Sequence, residues 1–321
     1  MKLSAQFIFC ALISLHCCFA QKSDNKTIGE FCENRIAKPE PIGIEDLEEE
    51  VRKRNESGQL KEEYEKIPSG SLFFTTEGEK AENIPRNRYG EKYLPYDHSR
   101  VKLNKIGDGS LTDYINANRL NGVNLPNRYI ATQGPLKNTA ADFWRMVWEN
   151  EAAIIVMLTR LMDDGKEKCY KYWPDDLARY GLIEVSLEKA DYVTNYIVRT
   201  FLIKYRGEVR RVVHYHFIVW PDEGVPEPPE LILNFAKLVR SNPNYVPHKP
   251  VVVHCSGGMG RTGTFILIDS MLQAAETNKE VDFAQQLCLM RQRRINVVET
   301  LPQYILAHEA VAKAVTAEKA S

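Results

Sequence analysis

Past residue 20 the chain has no second apolar run long enough to cross a bilayer, and no Cys-x-x-Cys pair or Cys/His spacing of the kind that holds zinc. Charge of one sign is lacking too: 42 Lys and Arg stand against 43 Asp and Glu, a formal net charge of -1. That excludes a general nucleic-acid- or polyanion-binding surface and leaves only a local basic site. Cysteines are few outside the start of the chain. Of seven, Cys10, Cys17 and Cys18 lie in the first 20 residues, and Cys32, Cys169, Cys255 and Cys288 are scattered over the rest, which is no disulfide framework. What is present is globular composition: 44% hydrophobic, 10% aromatic and 26% charged over 321 residues, enough for one large or two medium domains.

The first twenty residues, MKLSAQFIFCALISLHCCFA, read as a secretory leader. Lys2 supplies a positive start and Phe7 to Leu15 a mostly apolar middle. Cys18-Phe19-Ala20 places small residues where a signal peptidase inspects them, so cleavage before Gln21 fits. Ser4, Gln6, Ser14 and His16 interrupt the segment and make it a poor permanent span, so no stable membrane span is expected in the mature chain. The alternative is a membrane anchor formed by an uncleaved leader. Asn25-Lys26-Thr27 and Asn55-Glu56-Ser57 are glycosylation sequons, weak support for secretion because such triplets are frequent by chance.

Residues 21–38 are polar and unpatterned, and read as a linker. Ile44, Leu47 and Val51, then Leu60, Tyr64 and Ile67, recur at helical intervals interrupted by Gly58, which predicts helices over 44–54 and 59–66. Strand patterns cover 112–118, 128–132, 153–159, 182–187, 196–204, 210–219 and 250–254. Helix patterns cover 139–149, 229–240, 263–276, 280–293 and 301–317. Mixed strands and helices without an internal repeat predict one α/β (α+β) domain over 39–321.

The most informative segment runs from Val251-Val252-Val253-His254-Cys255 to Gly263. Three β-branched residues make a buried strand, and Phe265 to Ile268 with Met271 and Leu272 make an apolar helix face. Between them, Gly257, Gly258, Gly260 and Gly263 let the chain curl so that successive N–H groups converge, and the helix adds its positive end. This is an anion cradle with Cys255 at one lip and Arg261 at the other, five residues between them. Helix N-termini and cationic neighbours favour the thiolate of such a cysteine, which can attack phosphorus. A guanidinium fork matches phosphoryl oxygens. A buried cysteine in a glycine-rich turn is the bland alternative. It does not account for His-Cys and Arg-Thr-Gly at this spacing between a strand and a helix.

At these residues the sequence resembles the tyrosine-specific, or classical, protein tyrosine phosphatases, whose signature is His-Cys-Ser-x-Gly-x-Gly-Arg-[Ser/Thr]-Gly. The resemblance extends through several motifs, and the early helical pair looks most like receptor-type catalytic domains. It implies a single domain with a highly twisted mixed sheet flanked by helices, no metal and no cofactor. It also implies hydrolysis of phosphotyrosine on proteins through a cysteinyl-phosphate. Cys255 would be the nucleophile; Ser256, Gly257, Gly258, Met259, Gly260 and Arg261 would bind the phosphate; Thr262 would hydrogen-bond the sulfur.

A leaving phenol needs an acid, and two Trp-Pro-Asp triplets compete, at 173–175 and 220–222. Trp220-Pro221-Asp222-Glu223-Gly224-Val225-Pro226 resembles the family's mobile lid, which makes Asp222 the acid and then the base. The first triplet matches a structural Lys-Cys-x-x-Tyr-Trp-Pro segment, leaving Asp175 at the surface. Asn87-Arg88-Tyr89 with Pro95 to Val101 resembles the recognition loop, whose Tyr89 stacks on the substrate ring and deepens the pocket. Six residues, not the usual five, separate Tyr89 from Tyr96, and the peptide anchor falls on Glu91. Gln303 matches the glutamine that positions the hydrolytic water, and the arginines of 291–294 match the support of the phosphate loop. Gln133 belongs to a structural landmark. Asp163 stands where a carboxylate fixes the catalytic arginine, Lys168 matches the lysine that contacts the lid aspartate, and Glu223 replaces a ring or amide. The alternative is a catalytically weak phosphotyrosine-binding domain of the same fold. A lipid or dual-specificity phosphatase fits less well, because no lysine lies between Cys255 and Arg261 and the Tyr89 motif makes a deep pocket.

Overall fold

The computed structural model describes residues 40–104, 112–221 and 223–319. The leader, the linker over 21–38 and Asp222 lie outside the described residues.

One nine-stranded sheet contains β1 (Arg100–Lys102), β2 (Tyr114–Gly122), β3 (Leu125–Thr132), β4 (Ile154–Met157), β5 (Leu177–Tyr180), β6 (Ile183–Tyr192), β7 (Tyr196–Tyr205), β8 (Glu208–Phe217) and β9 (Val251–His254). Their order is β1-β2-β3-β9-β4-β8-β7-β6-β5. β9 runs parallel to both β3 and β4, and β4 runs parallel to β8. The other pairs are antiparallel, so the sheet is mixed.

The helices are α1 (Leu47–Glu56), α2 (Gln59–Lys66), α3 (Ala140–Glu149), α4 (Glu230–Arg240), α5 (Gly260–Thr277), α6 (Phe283–Arg291) and α7 (Leu301–Lys319), with a single turn at Thr76–Glu79. Side chains alternate across a strand, and β9 uses both faces. Val251 and Val253 join a core with Phe265 and Leu267 of α5, Leu287 of α6 and Tyr304 of α7. Val252 joins the opposite core with Trp144 of α3 and Ile155 of β4. All four residues of β9 are buried, which is why its sequence is a continuous apolar run rather than an alternation. The strand that carries the cysteine is thus held between two packed layers.

Several boundaries differ from the sequence patterns for physical reasons. β7 and β8 pair without a break from Tyr196↔Phe217 to Tyr205↔Glu208. Arg206 and Gly207 close the hairpin at φ 50 and 85. α5 begins at Gly260, because its glycine-rich first turn carries no apolar period. α6 begins at Phe283, because Asp282 caps it by accepting from the Gln285 N–H at 2.9 Å. The residues just before it, Glu280–Val281, pair with Ile42–Gly43 instead. Cys288 on α6 is disulfide-bonded, whereas Cys169 and Cys255 are free. Among the described residues no helix is long and apolar enough to cross a membrane.

Candidate active site

β9 ends at His254 and α5 starts at Gly260, so residues 255–259 turn at the centre of the sheet. Cys255 is 6% exposed, and its Sγ accepts from the Gly258 N–H at 3.2 Å. Gly258 has φ +72, and a Cβ there would lie 2.1 Å from the Thr132 carbonyl oxygen, so the turn needs glycine on both counts. Arg294, fully buried, holds the loop from behind. It donates to Gly258 O at 2.6 Å, Gly257 O at 3.0 Å, Asn118 Oδ1 at 2.7 Å and Asn116 Oδ1 at 3.0 Å. With these carbonyls turned toward Arg294, the loop's N–H groups are left for the cavity side. Burial pulls the Arg294 guanidinium down to about 10, still charged at neutral pH.

A neutral histidine chain backs the nucleophile. Burial lowers His254 to about 3 and His216 to about 4. The His254 Nδ1 contact at 3.1 Å is with the Cys255 carbonyl, so Nδ1 carries the proton. Its Nε2 then accepts from Tyr172 Oη at 2.8 Å, and that oxygen accepts from His214 Nε2 at 2.9 Å. By the same logic His216 donates through Nε2 to Thr159 O at 2.8 Å.

Arg261 projects from the first turn of α5. It donates to Pro221 O at 3.0 Å and lies 3.5 Å from Leu158 O and Thr159 Oγ1. This links it to the lid, where the Trp220 indole N–H points at Gly224 O across 3.4 Å. Asp222, the sequence-based acid, falls outside the described residues between Pro221 and Glu223. The competing triplet is separate from this region. Its Trp173 is buried beneath Arg199, and the Asp175 side chain, 90% exposed, pairs with Lys171.

These elements enclose a cavity of about 490 Å³. Its floor is Cys255, Ser256, Gly257, Met259, Gly260 and Arg261, and its walls include Tyr89, Tyr93, Lys168, Glu223, Glu299 and Gln303. A larger concavity of about 650 Å³ beside Pro41 and Asp282 shares none of its residues. Tyr89 Oη lies 3.1 Å from Ser256 Oγ, and its ring meets Tyr93 edge to face at 5.6 Å. Gln133 holds this recognition loop in place. Its Oε1 accepts from the Arg88 N–H at 2.9 Å and its Nε2 donates to Arg86 O at 2.8 Å. Gln303 is 7% exposed and its Oε1 accepts from the Glu299 N–H at 2.9 Å.

Glu91 is exposed and is not among the residues that line the cavity; Tyr93 lines it, at φ 59, with its carbonyl accepting from Asn116 Nδ2 at 3.2 Å. Two sequence-based assignments need correction. Thr262 makes no hydrogen bond to the sulfur. It follows Arg261 on the helix and so faces the interior, fully buried, with its hydroxyl unpartnered. Asp163 does not brace Arg261. The tight turn at Asp164 and Gly165, φ 47 and 69, turns the hairpin Met162–Asp163/Lys166–Glu167, leaving Asp163 Oδ1 3.8 Å from Arg160 and Oδ2 unpartnered. Tyr93 and Glu299 were not singled out from sequence; neither sits in a motif with a readable spacing.

A mixed sheet whose central parallel strand delivers a cysteine into a glycine-rich cradle, with an arginine on the next helical turn, defines an anion-binding α/β fold. Comparison with known proteins narrows the class. The protein-tyrosine phosphatase family model matches residues 83–313. The chain is 43% identical over 279 residues to receptor-type tyrosine-protein phosphatase F of Mus musculus, and 43% identical over 281 residues to that of Danio rerio. These alignments cover 85% and 86% of this chain and 15% of each relative. The chain belongs to the protein-tyrosine phosphatase family and resembles its receptor-type members, spanning about 15% of their length.

Proposed function

We propose that this chain is a protein-tyrosine phosphatase acting on phosphotyrosine-containing proteins, with residues 39–321 as its catalytic domain. The observation that carries the reading is Cys255 Sγ at the floor of the cradle, with Arg261 in the same cavity and Tyr89 on its wall. In the first step Sγ attacks phosphorus and the P–O bond breaks. The electron pair goes to the phenolic oxygen, which takes a proton from Asp222. In the second step water, positioned by Gln303, attacks phosphorus. The P–S bond breaks, its electron pair returns to Sγ, and the water proton goes to Asp222. Loop N–H groups and Arg261 hold the phosphoryl oxygens throughout. Tyr89 gives the depth that selects an aromatic ester over a shorter serine stem.

The second reading is a weakly catalytic phosphotyrosine-binding domain of the same fold, and what favours it is Asp163, whose Oδ1 lies 3.8 Å from Arg160 and whose Oδ2 is unpartnered. The two separate in one experiment. For the enzyme, wild type turns over p-nitrophenyl phosphate and phosphotyrosyl peptides, and Cys255→Ser abolishes this without changing thermal unfolding. Peptide binding without Cys255-dependent turnover selects the binding domain.

The leader reading gives a secreted protein, processed before Gln21, with an uncleaved membrane anchor as the alternative. The Cys288 disulfide supports passage through an oxidising compartment. N-terminal sequencing of protein from the medium and from membranes distinguishes them, and full-length chain in the cytosol refutes both.

A further inference from the structure

Glu299 belongs to no motif read from the sequence, yet it shares the cavity with Cys255, Arg261 and Gln303. Its Oε2 lies 3.1 Å from the point a Cβ on Gly260 would occupy, and Gln303 Nε2 lies 2.9 Å from the same point. Carboxylate and amide therefore stand side by side over the first turn of α5, next to Arg261. The Glu299 N–H donates to Gln303 Oε1, which fixes the pair through the main chain. The carboxylate itself makes no hydrogen bond or ion pair among the described residues.

The surrounding charges explain why this matters. Lys168 and Arg261 are the cavity's cations, Glu223 is its other described carboxylate, and Cys255, Tyr89 and Tyr93 complete the titratable wall. Behind the Glu299 loop, Tyr64 of α2 donates to Val298 O at 3.0 Å, and the Arg291 guanidinium of α6 lies 4.9 Å from the Tyr64 ring. Among the described lining residues, two cations and two carboxylates share the wall.

We infer that Glu299 determines which ligand charge the cavity accepts: its carboxylate opposes a doubly charged oxyanion until it takes up a proton. The inference rests on the phosphoryl-site reading of the cavity. Glu299 is exposed at the cavity mouth, yet the protein packed around its carboxyl partly desolvates it and raises it above its usual range; a bound dianion raises it further. By linkage, whatever factor the dianion adds to proton affinity, the proton adds to dianion affinity. Dianion binding therefore strengthens as pH falls, and free phosphate inhibits weakly at neutral pH.

Sulfate is the probe, because it stays a dianion over the range used. The full chain carries Cys255→Ser, so the thiol does not titrate. Calorimetric titration at pH 6 and pH 8 gives the affinities, and thermal unfolding at each pH checks the fold. Cys255→Ser should bind sulfate more tightly at pH 6 than at pH 8, in the direction the raised carboxyl sets. Adding Glu299→Gln should raise the pH 8 affinity several-fold and bring the ratio near one. Glu299→Ala should do the same, whereas Glu223→Gln should keep the ratio. Unchanged pH 8 affinity and ratio in both Glu299 variants overturns the inference, as does failure of sulfate to bind at either pH. Turnover by the chain with Cys255 intact is measured separately: its loss condemns the enzyme reading, not the role of Glu299.

Discussion

Replacing Arg294 with methionine tests whether one buried guanidinium holds two loops at once. Arg294 bonds Gly257 and Gly258 of the phosphate loop and Asn116 and Asn118 of β2. Asn116 in turn donates to Asn87 Oδ1 at 3.0 Å and Tyr93 O at 3.2 Å, so the recognition loop hangs from the same point. Each bond from a charged donor is worth about 1.5–3 kcal/mol. The four share one group and are not additive, so the loss is about 3–5 kcal/mol, as when one side of a buried charged network is removed. At ~2–4 °C per kcal/mol this lowers Tm by about 10 °C. Loop carbonyls freed from Arg294 let the cradle shift, and a shift near 1 Å costs about 10²-fold in kcat/KM. Arg294→Lys keeps the charge but cannot serve four acceptors with one ammonium, so it should fall between. Differential scanning fluorimetry and steady-state kinetics read both effects. If Arg294→Met kept Tm within about 2 °C and left kcat/KM unchanged, the reasoning would be refuted.

Acid should destabilise the fold early. His216, near 4, and His254 and His308, near 3, lie below their unfolded values, so the unfolded chain takes up protons first and stability falls as pH drops below about 6.5. At pH 5 that is about 2 kcal/mol per histidine, roughly 6 kcal/mol for the three; a urea midpoint that stays flat between pH 7 and pH 5 contradicts it. Asp222→Ala should lower kcat by ~10²–10⁴-fold while Asp175→Ala is near neutral, and the reverse ranking in steady-state assays would move the acid to the first triplet. Glu223→Phe should lower KM for phosphotyrosyl peptides more than it changes kcat, with a larger gain at low salt; an unchanged KM means Glu223 does not meet the ligand.

The phosphate loop was legible because its chemistry is contiguous: strand, cysteine, glycines, arginine and helix follow within thirteen residues, 251–263. The central strands were legible for the same reason, as β-branched runs buried on both faces. Two-residue strands such as Ile42–Gly43 and Glu280–Val281 were not, because they exist only through each other. Tyr93 was hidden because it reaches the cavity at a backbone angle, φ 59, that sequence does not display. Glu299 was hidden differently. Asn296 and Val298, at φ 50 and 55, turn the chain so that a residue outside the α7 pattern enters the cavity. Cys288 has no spacing to advertise its bond, since a disulfide depends on proximity that only the fold creates.

The β7–β8 hairpin has a practical consequence. β8 runs ten residues from Glu208 to Phe217, so its turn stands about 30 Å from the end that leads into Trp220 and the lid. Val209 beside the turn is exposed, and Arg206 and Gly207 make no ladder pair that an insertion would break. An epitope or a fluorophore-bearing loop inserted between Arg206 and Gly207 would therefore give a handle for immobilisation or imaging, spatially insulated from the cavity.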